Sequence, residues 1–249
     1  QFGPSAWAAG LWWVGSLAQL FVTVWVLARW FRGNGPGGLQ WASLTPEYGQ
    51  CAGSNQSPVN LSGLVKADLA PLQFHYQAGG KTLVNNGHTV QVNMASGNRI
   101  RVNARTYDLV QFHFHRPSEE KIEGKPMAMV AHFVHKDEDG KLGVVAVLIQ
   151  PGKTNPAWAP IFAHLPRVGE QVTVDGLSLD LPALLPAKKG YYSFEGSLTT
   201  PPCSEGVKWM VLKEPVKLSP QQIKAFRQIY NANARPLQPL NGRVVKESN

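Results

Sequence analysis

Cysteine is scarce in this 249-residue chain: there are two, Cys51 and Cys203. Lying far apart in sequence, they exclude a compact metal site built from cysteine alone. They leave open either two buried thiols or one disulfide, and a disulfide would imply an oxidising compartment. Long runs of positive charge are missing as well. The net charge is +8, yet no basic run is longer than Lys188-Lys189 and no nucleic-acid motif accompanies the scattered Lys and Arg. That pattern reads as a solvated basic surface and argues against nucleic acid as a partner. From Trp41 onward there is no linker, no repeat and no low-complexity block, so one domain is expected there. Apolar residues are not scarce: 43% hydrophobic content is enough for a sizeable core, and disorder is not the default.

Charge is absent for a long stretch only at the front. Residues 7–30 read WAAGLWWVGSLAQLFVTVWVLARW, with no charge before Arg29. Such a run can cross a bilayer as a helix, and tryptophan at both ends suits the membrane interface. A signal-peptide core would be shorter, with basic residues before it. Here Arg29 and Arg32 follow the run, which by the positive-inside rule would leave the rest of the chain in the cytoplasm, in conflict with a disulfide. Residues 1–38 are therefore set apart as a hydrophobic segment (signal, membrane anchor or a stretch foreign to the domain) ending in the glycine-rich joint RGNGPGG (32–38). Residues 39–249 form the expected folded domain.

Within that domain, short runs rich in Val, Phe and Ile recur between turn signals, at 82–94, 99–104, 108–116, 127–136, 141–150 and 207–215. Polar residues at alternate positions mark them as strands. Helical signals are few. Ser219-Pro220 opens the clearest, as N-cap and first helical residue, and 155–165 offers a second, short one. The expected fold is mainly β (α+β): a single domain around a large, mostly antiparallel twisted sheet with a few short peripheral helices.

Three of the seven histidines form a constellation. In QFHFH (111–115) strand alternation points Gln111, His113 and His115 one way and Phe112 and Phe114 the other. In MVAHFVH (129–135), His132 shares a face with Val130 and Val134. If the two strands pair, His132 meets the first two histidines. Three neutral imidazoles on rigid strands suit a zinc ion with a fourth position left open. His75, His135 and His164 have no such company and read as structural or surface residues.

At these residues the sequence resembles the α-class carbonic anhydrases, the bacterial periplasmic or secreted branch in particular. QFHFHRPSEE, AHFVH, NNGH and SLTTPPCSEGVKWMVLKEP carry the likeness, which runs from about Trp41 to Val245. The resemblance implies reversible hydration of CO2 to bicarbonate and a proton, by attack of hydroxide held on one zinc ion at His113, His115 and His132. It implies that Thr199 gives its proton to Glu119 and orients the hydroxide, that Thr200 contacts bicarbonate, and that His88 relays the proton as an exposed imidazole. Val134, Val144, Leu198, Val207 and Trp209 correspond to the wall that receives CO2. Gln111 corresponds to the acceptor of the first histidine, while Asn86 and Gln91 correspond to the polar side of the cleft. It further implies a Cys51–Cys203 disulfide, inhibition by sulfonamides and anions, and a periplasmic or secreted location, with membrane contact through residues 7–30 and a homodimer left open.

The sequence departs from that pattern in three places. The residue two before His132, usually a glutamate, is Val130, so His132 is expected to turn to a backbone carbonyl or water, with modestly weaker zinc affinity or an altered basicity of the zinc hydroxide. The residue after Glu119 is Glu120 in place of the usual histidine. The usual N-terminal tyrosine has no counterpart beside Trp30. Rival readings are a non-catalytic module of the same fold, disfavoured because all three histidines, Thr199 and Glu119 are kept, and a zinc esterase, for which no acyl pocket is evident.

Overall fold

The computed structural model describes residues 38–80 and 82–249. The hydrophobic run 7–30, Trp30 and the proposed boundary near residue 38 lie outside or at the edge of the described residues. Among those described, no helix is long and apolar enough to cross a membrane.

One thirteen-stranded sheet organises the described residues. Ten of its strands follow a single path: β1 (Val65–Ala67), β2 (Thr82–Asn85), β3 (Val90–Asn93), β4 (Arg105–His115), β5 (Met129–Lys136), β6 (Leu142–Pro151), β7 (Gln171–Thr173), β8 (Tyr191–Ser197), β9 (Glu205–Leu212) and β10 (Lys246–Ser248). Their order in space is β7-β2-β3-β4-β5-β6-β9-β8-β10-β1. Most neighbours are antiparallel; β6–β9 and β10–β1 are parallel. The run 82–94 is a hairpin, β2 and β3, rather than one strand. Gly87 at its turn has φ +93°, a conformation that favours glycine.

The centre of the sheet is buried on both faces. In β6, Val145, Val147 and Ile149 join one apolar layer, while Val144, Ala146 and Leu148 join the other. This strand reads as an unbroken apolar run, and burial on both sides is the physical reason. The first layer holds Phe112, Phe114, Phe133, Trp158 and Phe226, with α1 (Ala159–Ala163) and α2 (Pro220–Ile229) packed over it. Ser219 caps α2 as expected: its side chain accepts from Gln222 N, and Gln222 reaches back to Ser219 N. The second layer holds Val130, Val144, Val207, Trp209 and Phe194.

Candidate metal centre

Register brings the histidines together. β5 pairs antiparallel with β4, and His132 stands directly opposite His113. One ring nitrogen from each of His113, His115 and His132 lies within 4.8 Å of the others. The alternation that aims these imidazoles at one face sends Phe112, Phe114 and Phe133 into the core on the other. Further along, a register shift at Val134/His135 leaves half-exposed Val110 without a partner across the pair.

Each imidazole has one nitrogen engaged on its outer side. His113 Nδ1 lies 2.9 Å from Gln111 Oε1. His115 Nδ1 lies 3.1 Å from the backbone oxygen of Asn233. His132 Nε2 lies 3.2 Å from Glu120 Oε2. All three partners are acceptors, so the engaged nitrogen carries the proton and the other keeps its lone pair. His115 Nε2 is accordingly a buried atom with no hydrogen-bond partner. A buried lone pair left unpaired beside two others fits a metal ion such as zinc.

Electrostatics favour the neutral form at two of the three histidines. Burial pushes His113 and His115 well below the usual histidine value, and the neighbouring imidazoles add to the effect. Burial also acts to lower His132, but the Glu120 and Glu119 carboxylates outweigh it and raise its pKa. Glu119 is pushed up to about 7 by burial, with His132 acting to lower it.

Glu119 is fully enclosed. Its Oε1 accepts from Arg235 N at 2.7 Å. Its Oε2 lacks a hydrogen bond of full geometry, although the Thr199 hydroxyl is close enough to help hold its pKa down. Thr199 is buried and Thr200 half-buried. Their loop is pinned by the Cys51–Cys203 disulfide, which links segments 152 residues apart, and by Gln56 Nε2 donating to Cys203 O at 3.1 Å.

The apolar residues assigned to the wall also converge. Val134 pairs with Val144, and Val144 with Trp209, in register across β5, β6 and β9. Val207 belongs to the same layer and Leu198 packs against it. The Trp209 ring stands edge-on to His132 at 4.9 Å. On the other side, Gln91 stands opposite His113 and donates to Asn93 Oδ1 at 2.6 Å. Asn86 is a turn former whose Oδ1 accepts from His88 N and Thr89 N. His88 is half-buried, not exposed as the sequence reading expected, because the hairpin is clamped from behind by Asn233 Nδ2 donating to its carbonyl at 2.8 Å. Burial lowers the pKa of His88.

Sequence reasoning missed three residues here. Glu120, not a backbone carbonyl or water, is the acceptor for His132. Asn233 ties His115, His88 and Arg116 together across more than a hundred residues. Arg235 reaches Gln56, Ser57 and Cys51 and lies 5.0 Å from the Trp41 ring while its backbone holds Glu119. Only Glu120, noted as a departure, carried a local signal. The other two are polar residues in a loop with no spacing motif.

Three strand-borne imidazoles set against an apolar wall on a twisted sheet form a group that could hold a metal ion. The model of the eukaryotic-type carbonic anhydrase family matches residues 36–249. A carbonic anhydrase of Pectobacterium atrosepticum is 46% identical over 207 residues, covering 82% of this chain and 85% of the relative. The α-carbonic anhydrase of Thermovibrio ammonificans, solved with the inhibitor sulfanilamide, is 42% identical with a TM-score of 0.81, covering 84% of this chain and 94% of that one. A hyperthermostable carbonic anhydrase from a hydrothermal vent chimney is 44% identical with a TM-score of 0.83, covering 86% and 96%. The chain belongs to the eukaryotic-type, or α-class, carbonic anhydrase family.

Proposed function

We propose that this chain catalyses the reversible hydration of CO2 with one zinc ion held by His113, His115 and His132. The observation that carries the reading is the set of three imidazoles, one ring nitrogen of each lying within 4.8 Å of the others. Among the described residues that group includes no fourth ligand, which suits an open catalytic site better than a closed structural one. Zinc, when bound, lowers the pKa of a coordinated water to about 7 and so supplies hydroxide at neutral pH; carbonic anhydrase is the standard case of that principle.

The chain's own residues do the rest. Thr199, with its proton directed to Glu119, can only accept from a protic donor standing in the cleft, and this fixes where the donor's lone pair points. Thr200 receives the product anion. Val134, Val144, Leu198, Val207 and Trp209 offer apolar CO2 a dry surface beside the histidines. His88 passes the released proton towards solvent, and Asn86 and Gln91 shape the polar side of its route. A pKa below the usual histidine value keeps His88 ready to accept at neutral pH.

The same reading carries inhibition by sulfonamides and anions, which would compete for the open metal position. The disulfide supports a periplasmic or secreted location, since such bonds persist in oxidising compartments. Stopped-flow CO2 hydration with and without a chelator and a sulfonamide, alongside zinc content, tests the proposal. Purified protein without zinc that cannot be activated by adding it would sink the reading. Fractionation of the native cell, with thiol alkylation before reduction, tests the location.

A further inference from the structure

Two departures from the family pattern meet at His132. Val130 stands where a glutamate is expected, and Glu120 stands where a histidine is expected. Val130 is fully buried among Val59, Leu61, Ala146 and Leu148 and has no polar atom to offer. Glu120 is equally buried, and its Oε2 is the carboxylate oxygen at 3.2 Å from His132 Nε2. We propose that Glu120 is the positioning residue of His132. It replaces the missing carboxylate at 130 and is delivered from the turn after β4 rather than from the strand that carries His132.

The turn is built to deliver it. Ser118 Oγ donates to Glu120 O at 2.7 Å and accepts from Met127 N at 2.8 Å, while Ser118 N donates to Met127 O. These bonds fix the backbone from which the Glu120 side chain reaches the imidazole. Among the described residues no other side chain is hydrogen-bonded to His132 Nε2. Glu119 Oε2 lies 3.8 Å from His132 Nδ1, beyond hydrogen-bond range, and Glu119 Oε1 is taken by Arg235 N. Glu120 therefore holds the proton of His132 on Nε2 and leaves Nδ1 for the metal. Gln111 and Asn233 do the reverse for the other two rings. A carboxylate on the outer nitrogen also makes the imidazole a stronger donor. A glutamate at 130 would stand on the strand face that carries His132, opposite His115, and would add a third buried carboxylate to the site. The two glutamates are thus alternatives, and this chain uses the one at 120.

The inference rests on the zinc reading above, but its tests separate the two. Zinc affinity by chelator competition and the His132 tautomer by ring-nitrogen NMR are compared in the parent, Glu120→Leu, which removes the acceptor, and the double variant Glu120→Leu/Val130→Glu. The expected result is about 10- to 100-fold weaker zinc binding in Glu120→Leu, the range for lost outer partners. The His132 proton should no longer be confined to Nε2, and the double variant should recover most of the affinity. Unchanged affinity and tautomer in Glu120→Leu would overturn the inference. So would a metal-free parent with the His132 proton on Nδ1, a result that does not depend on any variant folding. A parent that binds no zinc at the three histidines would count against the proposed function instead.

Discussion

The two faces of β4 and β5 are made by the same backbone and do opposite work. On one, Phe112 and Phe133 stack with ring centroids 4.8 Å apart, and both are fully buried. On the other, one residue along in each strand, His113 and His132 face each other at 5.5 Å. The aromatic face contributes stability without chemistry. The imidazole face contributes chemistry and gathers three rings that need outside partners to stay oriented. The second face is affordable because the first is so well packed: an apolar layer this complete can offset a polar cluster a few ångströms away.

That contrast can be broken at several points. The largest effect is expected from His115→Ala, which removes a ligand whose Nε2 has no other partner. Zinc affinity should fall by more than the ~10–100-fold typical of an outer partner, and CO2 hydration should vanish. Metal analysis and stopped-flow rates read this, while the metal-free unfolding midpoint should move less than in a core variant. On the opposite face, Phe112→Ala should cost about 3–5 kcal/mol in denaturant unfolding. A loss below 1 kcal/mol there would mean that the aromatic layer is not what carries the sheet.

His135 sharpens the comparison because it is a histidine on the aromatic side. It is fully buried, stacks on Tyr76, takes the Tyr76 hydroxyl on Nε2 at 2.6 Å and donates Nδ1–H to Gly143 O. Burial lowers its pKa to about 4. As pH falls from 6.5 towards 4, the unfolded chain binds a proton that folded His135 refuses, so stability is lost across that window. At about 1.4 kcal/mol per pH unit the loss approaches ~3 kcal/mol. His135→Gln should flatten that part of the stability–pH curve, as read by urea unfolding at a series of pH values. The smallest effect concerns His88. His88→Ala should lower kcat by about 10²-fold, the lower end for a proton-transfer group. Imidazole buffer should restore most of it while the unfolding midpoint stays put. A rate that ignores added imidazole would remove the relay role.

Much of the site could be read from local sequence. Alternation in QFHFH separated Phe112 and Phe114 from His113 and His115 because side chains in any strand alternate faces. The cap at Ser219 was legible for a similar reason, since it involves residues three apart. The partner of His132 was not legible. Glu120 is twelve residues away, and it reaches the ring only through the Ser118 turn. The half-burial of His88 likewise depends on a loop 145 residues downstream.

By itself the sequence determined which residues share a strand face, where the imidazoles could cluster and which chemistry they could support, since these follow from short-range geometry and residue type. Only the tertiary structure decided which nitrogen of His115 and of His132 is left for the metal. That choice belongs to the outer acceptors Asn233 and Glu120, which lie 118 and 12 residues from their rings in sequence, whereas Gln111 sits two residues from His113 on the same strand.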